Sequence, residues 1–252
     1  MSALFYVLIA LFGVVAGGVL ARAAYAIPRG EYRQIVAPHC ASCGKKLPFK
    51  YLIPVVGSFL VRFRCSSCGE KQGAQPLISE LLFAAVCVLL HFYYGFSYLF
   101  FLYVVLAGVL LLLSLIDLDI KEVPHSLLFV VLALGVMVFV FSFFSFSLSG
   151  TVWWEHVVGA FVISLPLFIL MMLTGGVGGG DVKLMFCLGL FLGFKLTVVS
   201  FFFGIVVAAV TAVVLRIACG KGGKYQLPLV PFLSLGAVIA LLWGNALLAA
   251  IF

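Results

Sequence analysis

Eight apolar segments follow one another along this chain, and only one stretch between them is long and polar enough to fold in water. The segments cover residues 3–27, 77–93, 98–116, 126–148, 154–174, 182–194, 196–215 and 230–251. All but the sixth are close to the ~20 residues that cross the hydrocarbon core of a bilayer. Backbone polar groups in that core must be satisfied internally, which leaves helices or closed barrels. Barrel strands would read as segments of about ten residues with alternating polarity, and the sequence contains no such pattern. Charged residues are 9% and hydrophobic residues 65% of the chain, where a soluble domain carries about a quarter charged. The expected fold is all-α, a polytopic helical membrane protein with about eight transmembrane helices and one small loop domain.

Charge sets the expected topology. The first 21 residues have the length of a signal peptide, but no positive charge precedes the apolar run and the basic residues follow it. That order predicts an uncleaved first span with the N-terminus outside. If all eight segments span, fourteen of the fifteen Lys and Arg lie on the inner side and Lys195 alone lies outside. If the short sixth segment were re-entrant, Arg216, Lys221 and Lys224 would change sides, so the positive-inside bias favours spanning. Lys183 can snorkel toward the headgroups and lengthen that segment. The net charge of +7 is therefore read as topology, with the lipid bilayer as partner and no nucleic acid. Three parts result: residues 1–27 as the first span, 28–75 as a cytoplasmic loop, and 76–252 as a seven-helix membrane body.

The loop is too small to bury a core of its own and needs a staple. Cys40-Ala-Ser-Cys43 and Cys65-Ser-Ser-Cys68 supply one. Two such pairs present four sulfurs to one tetrahedral metal, and zinc is the expected ion. Gly44 and Gly69 follow the pairs and permit the tight turn that each requires. A disulfide framework is the alternative, disfavoured by a reducing compartment. Four cysteines close the coordination sphere, so the site reads as structural, with His39 as a spare ligand. Cys87, Cys187 and Cys219 sit singly in or at the ends of apolar runs, as packing residues do. His91 and His156 likewise read as packing.

The chain has three aspartates, Asp117, Asp119 and Asp181, each beside an apolar segment. Carboxylates at a membrane edge are costly and are functional candidates by default. Asp119 is open to a plainer reading, a solvated loop in which it and Glu122 pair with Lys121. Asp181 closes a glycine-rich run, 176–180, at the start of the sixth segment, where a carboxylate gains from the helix dipole. A glycine turn with a capping Asp is its alternative reading. Two carboxylates brought together share a proton, so one acts as base on a water while the other donates to a carbonyl oxygen. Asp117 and Asp181 are the natural pair, because Asp119 lies about 200° from Asp117 on a continued helix. A proton-coupled transporter would also use intramembrane carboxylates, but the cysteine loop and the edge position of both aspartates speak against it.

These residues carry a family likeness over nearly the whole chain. Pro28-Arg29-Gly30-Glu31, the two cysteine pairs with Leu52-Ile53-Pro54 between them, Ser114-Leu115-Ile116-Asp117 with Val123-Pro124, and Gly178-Gly179-Gly180-Asp181-Val182-Lys183 resemble the type IV prepilin peptidases. The resemblance implies a membrane aspartic endopeptidase of the bacterial inner membrane. It implies prepilin or type II secretion pseudopilin substrates, cut on the cytoplasmic side after a glycine that precedes their apolar helix. It implies Asp117 and Asp181 as catalytic, Gly178, Gly180 and Lys183 as the supporting loop, and zinc on Cys40, Cys43, Cys65 and Cys68. Many members also methylate the new N-terminus with S-adenosylmethionine, and Glu80 matches the glutamate of that region. A charge pair of Glu80 with Lys71 or Arg22 is the other reading. The chain departs from the family at Gly17–Arg22, where Ser-Phe-Leu-Asn is usual, at Ala74-Gln75 before Pro76, and at His125 after Pro124.

Overall fold

The computed structural model describes residues 3–37, 39–40, 43–47, 55, 57, 64–65, 67–70, 73–144, 152–219 and 227–251. Among them the helices are α1 (Ala3–Arg29), α2 (Arg33–Val36), α3 (Gln75–Tyr94), α4 (Tyr98–Ile120), α5 (His125–Phe143), α6 (Trp153–Val162), α7 (Ser164–Thr174), α8 (Gly179–Leu192), α9 (Phe194–Cys219) and α10 (Val230–Ile251). Seven stretches of helix are long and apolar enough to cross a bilayer: α1, α3, α4, α5, α6 with α7, α9 and α10. The eighth apolar segment is α8, of 14 residues. At 1.5 Å per residue it is about 21 Å long, short of the roughly 30 Å hydrocarbon core. The chain is thus a multi-pass helical membrane protein. It divides into two compact units, Met1–Asp119 and Ile120–Phe252.

In the first unit α1 and α3 run antiparallel with their backbones in contact. A Cβ on Gly13 would stand 2.5 Å from the Ala84 Cα, and one on Gly17 would stand 2.7 Å from the Glu80 Cα. Lipid tails are as apolar as leucine, so close packing through small residues, not burial of apolar area, holds such a pair together. The other face of α1 exposes Leu4, Leu8, Leu11, Phe12 and Val15, the surface a bilayer requires. The helix continues through Pro28 to Arg29, two residues past the expected span. The middle of α4 packs by Gly108 against the Phe83 ring and Leu20. Near its start, Tyr103 stacks edge-on against Tyr94 at 4.9 Å and Phe100 meets the buried His91 ring at 5.5 Å.

In the second unit α8 is the buried element. A Cβ on Gly189 would lie 2.1 Å from the Gly159 carbonyl oxygen, and one on Gly135 would lie 3.1 Å from that of Cys187. Glycines on α5, α6 and α8 therefore let three backbones meet. His156 is wholly buried and donates from Nδ1 to the Leu190 carbonyl at 2.9 Å, satisfying a carbonyl near the C-terminal end of α8. The segment expected as one helix over 154–174 breaks at Ile163. Pro166 lacks the N–H that would bond the Val162 carbonyl, and one turn earlier the Ser164 hydroxyl donates to the Ala160 carbonyl. Gly204 and Gly236 bring α9 and α10 together in the same way as the other glycine contacts.

Candidate active site and metal cluster

The two cysteine pairs fold into matching knuckles. Cys40 N–H donates to the Lys45 carbonyl and Gly44 N–H to the Cys40 carbonyl, both at 2.9 Å. Cys65 with Glu70 and Gly69 with Cys65 repeat the pattern at 2.8 and 2.9 Å. Gly44 and Gly69 have φ of +67° and +72°, a conformation that a Cβ disfavours. The four ligand sulfurs lie within 4.8 Å of one another, with Cys40 to Cys68 at 3.7 Å and Cys43 to Cys65 at 3.9 Å. N–H groups of Cys68 and Ser67 hold the Cys65 thiol below its ordinary range. Cys68 is pushed up to about 12: the Glu70 N–H pulls down, but desolvation and the neighbouring sulfurs outweigh it. Four sulfurs this close cannot all ionise without a cation, so the cluster can hold a metal ion.

Asp117 and Asp119 both lie in the last turns of α4. The helix continues to Ile120, and the half-turn offset separates the two carboxylates as expected: Asp117 is buried and Asp119 is exposed. Asp119 pairs with Arg29 at 2.8 Å. Asp119 is thus solvated as expected, but it stands on a helix rather than in a loop and points to the end of α1. A half-exposed pair of this kind contributes only about 0–1 kcal/mol to stability. Arg29 was not singled out for a role from the sequence; its place beside Pro28 in a family motif was the available signal.

Asp181 lies in the first turn of α8 and is buried. The preceding helix ends at Gly175, in the left-handed conformation at φ +62°, and α8 starts afresh at Gly179. The glycines on either side have different reasons. A Cβ on Gly178 would stand 3.0 Å from the Asp181 Oδ2, so its absence leaves room for the carboxylate. A Cβ on Gly180 would stand 2.6 Å from the Val123 Cγ2. Gly179 between them meets only the Met171 sulfur at 3.7 Å, an ordinary contact. The spacing Gly-x-Gly-Asp is thus a packing statement, with Val123 as the partner that sequence alone did not identify. Lys183 is exposed and borders an apolar groove of about 530 Å³, with His125, Phe129, Phe168 and Phe186 also on its walls.

Glu80 is buried on α3. Its Oε2 accepts the Val55 N–H at 2.6 Å, and its Oε1 fills the space where a Cβ on Gly18 would lie. Arg22 acts on it through space while donating its Nε to the Ile35 carbonyl at 3.0 Å. Lys71, the other expected partner, and Leu52-Ile53-Pro54 lie outside the described residues.

Two family profiles match the chain. The Bacterial Peptidase A24 N-terminal domain matches residues 11–94, which hold the cysteine pairs and Glu80. The Type IV leader peptidase family matches residues 104–213, which hold Asp117 and Asp181. A Prepilin leader peptidase/N-methyltransferase of Bacillus subtilis (strain 168) is 28% identical over 95% of this chain and 94% of its own length. One of Stutzerimonas stutzeri is 29% identical over 88% of this chain and 78% of its own length. No solved structure matches. The first profile thus takes in the four-cysteine cluster and the second the Gly-x-Gly-Asp turn, and the chain belongs to the type IV leader peptidase family, a family of proteases.

Proposed function

We propose that this protein removes the leader peptide from type IV prepilins or type II secretion pseudopilins at the cytoplasmic face of a bacterial inner membrane, with Asp117 and Asp181 as the catalytic pair. The observation that best supports the assignment is the local construction at Asp181. The carboxylate is buried at a helix N-terminus behind a glycine, Gly178, whose missing Cβ gives it room. One carboxylate of the pair takes a proton from water. The other, protonated, donates to the scissile carbonyl oxygen, and the amine of the mature pilin leaves with a proton. Gly180 and Lys183 serve as supporting residues of the same loop. The reading keeps the division into a first span at 1–27, a cytoplasmic zinc loop at 28–75 and a seven-helix peptidase body at 76–252. Purified protein in lipid, given a prepilin, is expected to release the leader and leave the mature N-terminus. Failure to cut any substrate with a leader, a glycine and an apolar helix would end the proposal.

Zinc is the proposed metal of the cysteine cluster. A tetrahedral centre with Zn–S bonds of about 2.3 Å sets its sulfurs about 3.8 Å apart, which agrees with the 3.7 and 3.9 Å separations. It would tie the two knuckles together and supplies no step of the cleavage. Reporter fusions in the 28–75 loop and at Lys221 are expected to read as cytoplasmic, and a fusion after Phe252 as external. A cytoplasmic C-terminus would make α8 re-entrant and reverse the parity.

The relatives named above are also N-methyltransferases by name. S-adenosylmethionine presents a sulfonium cation that an accessible acid would meet. Among the described residues Glu80 is closed in by Val55 and Gly18, so the surroundings of Glu80 do not fit the cofactor, and no step is derived through it. The mass of the processed pilin N-terminus measures this second activity directly. One added methyl group, lost in Glu80→Ala on pre-cleaved substrate, would assign Glu80 to it.

A further inference from the structure

We infer that Arg29 and Asp119 form a clamp that positions Asp117 for cleavage, an inference that rests on Asp117 being one of the catalytic carboxylates. The clamp joins two helix ends. Arg29 is the last residue of α1, and Asp119 is the penultimate residue of α4. Asp117 lies one half-turn before it, on the buried side. Asp119 can therefore hold the end of α4 from outside without occupying the catalytic face.

The guanidinium has a fixed direction. Its Nη1 donates to the Tyr25 carbonyl at 3.0 Å and meets the Asp119 Oδ2 at 2.8 Å, and its carbon lies 3.9 Å from the centre of the Tyr25 ring. Stacking, backbone and carboxylate contacts together use the planar fork of arginine, which lysine does not reproduce. The need for such a clamp follows from where α4 is packed. Phe100, Tyr103 and Gly108 hold its first half and middle, and burial continues through Leu113, Ile116 and Asp117, but Leu118 and Asp119 beyond them are exposed. The last turn of any helix leaves carbonyls without intrahelical partners and frays first. Lys121, at φ +56°, breaks off α4 one residue after its end. Asp117 stands within that last turn, so fraying there moves the carboxylate itself. A cation at the C-terminus of α4 also suits its dipole.

Arg29 and Asp119 act through Asp117 and are positioning residues, so their loss is expected in kcat and not in substrate affinity. The test measures kcat, KM and thermal unfolding for the full chain in lipid with a prepilin substrate. Arg29→Ala and Asp119→Ala are each expected to lower kcat about tenfold, part of the ~100-fold that a 1 Å misplacement can cost. KM should stay within about twofold and the unfolding midpoint should not move, because a half-exposed ion pair adds little stability. The double variant should be no slower than either single one, as expected of two residues acting as a unit. Asp119→Asn, which keeps an acceptor for Arg29, should retain most of the rate. An unchanged kcat, a raised KM, multiplying effects, or a midpoint that falls in step with activity would each overturn the clamp. Should Arg29→Ala fail to fold, Asp119→Ala and Asp119→Asn decide alone. Asp117→Asn, assayed alongside, separates the two ideas. Cleavage by that variant sinks the catalytic assignment, whereas an inactive Asp117→Asn beside a fully active Arg29→Ala and Asp119→Ala sinks only the clamp.

Discussion

Asp117→Asn and Asp181→Asn are each expected to stop leader removal, with the rate falling at least about a thousandfold. Asparagine has nearly the shape of aspartate but cannot take up or give the proton on which both halves of the reaction depend. Each residue lies at a helix end, and the amide keeps an oxygen acceptor there, so protein level and membrane insertion should be unchanged. The assay is the gel shift of a co-expressed prepilin. Processing by either variant at near the parental rate would end the aspartic-protease reading.

Changing Cys40 and Cys43 together to serine should take the metal content from about one zinc per chain to none. The expected damage is to the loop more than to the chemistry. The binding free energy of a structural zinc, about 10–16 kcal/mol in small peptides, is folding free energy for a segment that has no core. The loop should become sensitive to protease and the protein level should fall. The pH dependence has a definite sign. Without metal, Cys68 keeps its proton up to about 12, so binding at neutral pH must displace that proton. Affinity for the metal therefore rises with pH through the neutral range, and a chelator should strip it more readily in mild acid. Carefully prepared protein without zinc would sink this assignment.

The features that sequence disclosed are those with short range. Hydropathy located the spans because each must match the bilayer by itself. The cysteine pairs were legible because each knuckle closes within six residues, from Cys40 to Lys45 and from Cys65 to Glu70. The opposite environments of Asp117 and Asp119 follow from helix geometry alone. The features that escaped need a partner distant in sequence. Asp119 pairs with Arg29, 90 residues earlier, and no local pattern encodes that choice. Gly180 is needed because Val123 lies against it, and Gly159 because Gly189 does. A glycine in an apolar run gives no hint of what it touches. The break at Ile163 had a local signal in Pro166, which the uniform hydropathy of 154–174 masked.

The contact between Gly159 and Gly189 also fixes depth. From it, α6 and α7 continue roughly fifteen residues to Thr174, about 22 Å, while α8 runs back roughly eight residues to Asp181, about 12 Å. Asp181 thus lies about 10 Å below the end of the neighbouring span. The chain bridges that drop with non-helical backbone at Gly175, Gly176, Val177 and Gly178, of which the three glycines are exposed. Exposed irregular backbone at such a level is tolerated only where it borders water, since lipid cannot satisfy its N–H and C=O groups. The short helix therefore implies that the turn before the carboxylate borders water. A peptidase consumes one water molecule for every bond it cuts, and in the proposed reaction a turn bordering water would spare that molecule a passage through hydrocarbon.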